Sequence, residues 1–211
     1  MLKVMAVFEK INVLNVFKEH VETLRNANTN SYSIGDFFLF LLFPALLAIV
    51  LVYNKINLTK EVILILVTSL SIFAALLFNL LLIIYDIVTK LKEDGSRIIN
   101  NNSTQKEQTI SRLFKKERLI KETYVNISYN ITIAIITIIF SLILFFIINT
   151  TIPNNENTTV MASVENSNIA ILFFSFVIYY FLIQFMLTLF MILKRIHVLL
   201  SKEFKELGKA S

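Results

Sequence analysis

Four stretches of the chain are almost wholly apolar: 37–53, 62–88, 126–150 and 169–193. A helix rises 1.5 Å per residue, so about 20 apolar residues cross a bilayer core. The pattern predicts an all-α membrane protein with four transmembrane helices. The first stretch is the shortest, and Pro44 inside it predicts a kink. The connector 54–61 is too short for a domain, so the first two spans form an antiparallel hairpin.

Between the spans the pattern changes to amphipathic. In residues 1–25, Val4, Val7, Ile11, Leu14, Phe17, Val21 and Leu24 recur at intervals of three or four, with Lys3, Lys10, Lys18 and Glu22 off that stripe. Glu9 and Lys10 exclude a span and a signal peptide. This helix has two readings, one lying on the inner leaflet and one packed on the protein's own cytoplasmic helices. The segment 89–125 begins as an extension of the second span to about Glu93. It passes through an Asn-rich, flexible middle at 95–104, and Thr104 with Glu107 fits a capping box. A helix from about Gln105 then runs unbroken into the third span. Residues 151–168 read as an outside loop. The tail 194–211 continues the fourth helix through Ile196, Leu200, Phe204 and Leu207 to a stop at Gly208.

Charge supplies the direction. Of 20 basic residues, four precede the first span, two lie in the 54–61 connector, nine in 89–125 and five after the fourth span. The loop 151–168 has none. Basic loops stay inside, which predicts N-in/C-in topology with helical cytoplasmic extensions. The net charge of +5 is then a topology signal rather than a nucleic-acid footprint. Lys115, Lys116, Arg118 and Lys121 are candidates to face anionic lipid or a partner.

Polar residues inside the spans are the remaining clue, because each is costly in lipid. Thr68, Ser71, Ala75, Asn79 and Asp86 share one face of the second span. Asn126, Asn130, Ala134, Thr137 and Ser141 share a face of the third. Tyr180, Gln184, Thr188 and Arg195 align in the fourth. Asn79, Thr137 and Gln184 lie at similar depth, and with Asn130 they predict an intramembrane polar layer sealed by helices of this chain or a neighbour. Asp86, Asn126 and Arg195 mark the cytoplasmic ends, with Asp86 placed for an i,i+4 pair with Lys90. The bland reading is helix-to-helix glue, and the sharper one is a water path. No mid-membrane carboxylate is present to couple ions or protons.

Catalytic, metal and cofactor motifs are missing: no HExxH, GxSxG or phosphate loop occurs, there is no Cys, and the expectation is a protein that is not an enzyme and needs no cofactor. His20 and His197 read as ordinary surface or interfacial residues. The alternatives for function are an integral membrane subunit that oligomerises and docks a cytoplasmic protein, and a small channel or membrane-disrupting effector. In either case a homo-oligomer is expected, with the second or third span nearest its axis. Cys at 79, 130 and 137 should then crosslink between subunits, and Cys at 135 or 143 should face lipid.

Residues 17–44, FKEHVETLRNANTNSYSIGDFFLFLLFP, and 119–131, LIKETYVNISYNI, resemble segments of small bacterial membrane proteins. The four-span plan with long cytoplasmic helices is similar to membrane subunits of anti-phage defence systems of the Kiwa KwaA type. That resemblance implies an oligomeric inner-membrane subunit that docks a cytoplasmic partner.

Overall fold

The computed structural model describes residues 13–23, 35, 38–54, 56, 58–100, 106–151 and 161–210. Its regular structure is helical: α1 (Val13–Thr23), a π-helical turn (Phe38–Leu42) leading into α2 (Phe43–Tyr53), α3 (Lys60–Asn100), α4 (Lys106–Thr151) and α5 (Met161–Ala210). Three helices are long and apolar enough to cross a membrane, over Lys60–Glu93, Leu113–Thr150 and Ile169–Ser201. The fourth apolar stretch, Phe38–Tyr53, is shorter. The chain divides into two compact units, one of Met1–Arg25, Leu76–Asn130 and Thr188–Ser211, the other of Asn26–Ala75 and Ile131–Leu187.

The expected irregularity at Pro44 takes the form of a π-to-α change within the apolar helix Phe38–Tyr53. Pro44 sits in the first turn of α2, directly after the π turn. A proline has no N–H to give to the preceding turn, and the first turn of a helix does not need one. Asn54 ends α2 by donating its backbone N–H and its side-chain Nδ2 to the Val50 carbonyl, at 3.0 and 2.8 Å. Thr59 opens α3, with its hydroxyl accepting the Val62 N–H at 3.4 Å. Between them Leu58 is buried, and Tyr179 of α5 donates its hydroxyl to the Ile56 carbonyl at 2.8 Å. This connector belongs to the second unit, whose apolar core gathers Ala48, Leu58, Ile63, Leu144, Ile178 and Tyr179.

Three expected boundaries are corrected. α3 runs on to Asn100, so half of the segment expected to be flexible is helix, and residues 101–105 lie outside the described set. α5 begins at Met161, so the second half of the expected outside loop is helical. It also continues past Gly208 to Ala210. The cause is common to all three. Once a helix is nucleated by a long apolar run, each further residue adds a backbone bond at little cost. The expected helix from Gln105 into the third span is found as α4, starting at Lys106.

α3 buries one residue in seven: Ile63, Leu70, Leu77 and Ile84. α4 buries a continuous seam at spacings of three and four, including Ile120, Thr123, Ile127, Asn130, Ala134, Thr137, Ser141 and Leu144. Half of that seam is polar, in keeping with the small hydroxyl and amide residues that helix interfaces in membranes favour.

Candidate functional site

The most connected polar cluster lies in the first unit, where α1, α4 and α5 meet. α1 exposes Val21 of its expected apolar stripe and buries His20 instead. The helix is turned toward His20 and Thr23 because the surface it packs on is polar. The described part of residues 1–25 packs on α4 and α5. The His20 ring stacks flat on Tyr129, with centroids 3.7 Å apart and planes within 5°, and Phe17 meets the same tyrosine edge-on at 5.0 Å.

His20 Nδ1 donates to Asn126 Oδ1 at 2.9 Å, and the Thr23 hydroxyl reaches the same oxygen at 3.0 Å. A carboxamide oxygen only accepts, so the neutral imidazole carries its proton on Nδ1. Burial holds the His20 pKa down to about 4 from 6.5; the Asn126 bond opposes this and the Arg195 charge adds to it. His20 is therefore neutral at pH 7.

Arg195 completes the cluster. Its Nη1 donates to the Glu122 carbonyl at 2.8 Å, and its Nη2 donates to the Thr23 carbonyl at 3.3 Å and lies 3.3 Å from Glu122 Oε2. Thr23 is the last described residue of α1, and its carbonyl accepts from this cation. Glu122 is held from its other side by Arg118 Nε at 3.0 Å, one turn earlier on α4. A recess of about 320 Å³ opens beside the clamp, lined by Glu19, Glu22, Thr23, Arg118, Lys121, Glu122 and Val125. The arrangement fastens the end of one short helix to two long ones through groups that only a guanidinium can join in one plane.

Of the residues singled out from sequence, Asn126 and Arg195 are brought together here. Asp86 is not. It is exposed on α3, and among the described residues no ion pair joins it to Lys90. Lys115, Arg118 and Lys121 are exposed and Lys116 is half-buried. His197 is exposed, whereas His20 departs from the expected surface role. His20, Thr23, Glu122 and Tyr129 are the members that sequence reasoning missed. The available signal was the second stripe of α1, Val16, His20 and Thr23, which is equally well spaced and ends in two polar residues.

The expected polar layer is also rearranged. Asn130, Thr137 and Gln184 are buried, with no solvent reaching Asn130 or Thr137. Asn79 is exposed, on the side of α3 opposite its packed residues. Hydroxyls in these helices bond back to their own chain: Thr68 to the Leu64 carbonyl, Ser71 to Val67 and Thr137 to Ile133, all at 2.7–2.8 Å. The buried amides do not follow suit. Neither polar atom of the Asn130 side chain has a hydrogen-bond partner, nor does Asn126 Nδ2. Among the described residues no group of three or more His, Asp or Glu is placed to hold a metal ion.

Comparison with known proteins adds no relative: no family model, curated protein or solved structure matches the chain.

Proposed function

We propose that this chain is a non-enzymatic integral membrane subunit that self-associates in the bilayer and docks a protein on its cytoplasmic side. Four spans in N-in/C-in orientation follow from the distribution of basic residues, with Phe38–Tyr53 as the short fourth span. The observation that carries the docking role is on α5, at and beyond the end of its apolar span. Leu200 and Phe204, one turn apart, are 52% and 68% exposed and border a groove of about 430 Å³ with His197 and Ser201. Exposed Lys115, Lys121 and Lys194 belong to the same compact unit. A partner segment with apolar anchors and acidic flanks fits this chemistry. The resemblance to anti-phage defence subunits supports placing the protein in a bacterial inner membrane and its partner in a defence pathway.

The test is affinity recovery from native membranes with the wild type and with Leu200→Ala/Phe204→Ala. The expected result is a stoichiometric cytoplasmic protein with the wild type, lost with the double variant. Recovery of the chain alone from cells in which it is functional would sink the reading.

A second reading, a small channel, is favoured by the exposure of Thr68, Ser71 and Asn79 on α3. Around an axis of several copies those side chains face water. Purified protein in liposomes should then leak ions, and Asn79→Leu should change the leak. Liposomes that stay tight under activating conditions count against it.

A further inference from the structure

α3 carries an amide that its own chain does nothing with. Asn79 is exposed and has no hydrogen-bond partner among the described residues. It lies seven residues from Asp86, about 10 Å inside the uncharged part of the helix. At 100° per residue, Asn79 points about 180° from the centre of the buried seam Ile63, Leu70, Leu77 and Ile84. α3 is also the least covered of the three long helices, with 17% of its most apolar window buried against 28% and 33% for α4 and α5. A primary amide facing hydrocarbon is costly, so the residue calls for a partner that hydrogen-bonds at that depth.

We infer that the Asn79 face of α3 is the contact surface for a second copy of this chain, with the two copies related by an axis along the membrane normal. The inference rests on the proposal that α3 spans the bilayer.

Three features select a copy of the chain over another occupant. Copies insert with the same orientation, so each residue meets its counterpart at the same depth about the axis. A primary amide is its own complement, because it offers both a donor and an acceptor. Asp86 and Lys90 lie on the same face, one turn apart, exposed and without an ion pair to each other. Across such an axis Asp86 meets the Asp86 of the other copy, and the Lys90 side chains one turn away are near enough to offset the paired acids. Ala75, one turn from Asn79 and also exposed, lets the backbones approach. The expectation that the third span could serve equally is set aside here, because Asn130 and Thr137 are wholly buried within their own chain.

The chain has no cysteine, so single replacements report cleanly. Cys at 75, 79 and 86 should give disulfide dimers in native membranes. Cys at 78 and 85, exposed but about 100–120° around the helix, should not. Asn79→Leu should weaken dimerisation about three- to thirtyfold, read as loss of the crosslink at 75, while Asn79→Gln keeps most of it. Crosslinks at 78 and 85 instead, an adduct to a different protein, or a monomer at every position would overturn the inference. Loss of the docked protein with the crosslinks intact would overturn only the docking role. A chain that alkaline extraction strips from the membrane would overturn both.

Discussion

Arg195 reaches three groups at once: the Thr23 carbonyl, the Glu122 carbonyl and the Glu122 carboxylate. Arg195→Ala should therefore cost about 1–3 kcal/mol and release α1, seen as faster hydrogen exchange across 13–23. Arg195→Lys should recover little, because one ammonium cannot span both carbonyls. His20 adds a pH dependence of definite sign. Its folded pKa is about 4 and its unfolded value 6.5, so the unfolded chain binds the proton first as pH falls. The contribution is whole above pH 6.5, declines below it and is gone below pH 4. The total is at most about 3 kcal/mol. Exchange protection of α1 should fall across that window, and His20→Asn should flatten the profile. Neither residue's role was legible in advance. Asn126 and Arg195 stood out as polar groups at the ends of apolar runs, but nothing local says that their partners lie 73 to 172 residues away.

Helices were the more legible level. Apolar runs located α3, α4 and α5 because nothing else in lipid satisfies the backbone. Their ends were less so, since a helix already formed carries through residues that would not start one. Gly95 is the clearest instance, lying inside α3 where a flexible segment was expected. A Cβ added there meets nothing within 4 Å. Gly95→Ala should thus stabilise the extension by about 0.5–1 kcal/mol, measurable as slower exchange over 91–100. The rotation of each helix was the least legible. The polar faces of α3 and α4 look equivalent in sequence. The structure turns that of α4 inward and that of α3 outward, because seven-residue Ile and Leu spacing gives α3 a better apolar seam on its other side.

For the molecule as a whole, the proposed topology makes a direct prediction. Cys placed at 115 or 204 should react with a membrane-impermeant thiol reagent only after the inner membrane is opened, and Cys at 54 should react in intact cells. The opposite pattern would invert the orientation of every segment and remove Leu200 and Phe204 from the cytoplasm.

The clamp on α1 also orders events during synthesis. Thr23 leaves the ribosome 172 residues before Arg195, its partner. At about 5–20 residues per second, that separation is roughly ten to thirty seconds. Through that interval the Thr23 carbonyl lacks its guanidinium partner, and only the contacts of α1 with Asn126 and Tyr129 can form. Completing the docking of α1 is thus a late step, and a mark that the last helix is in place. A chain halted before residue 195 should insert its apolar helices yet leave 13–23 open to protease. Adding the missing segment as a separate peptide should close it again.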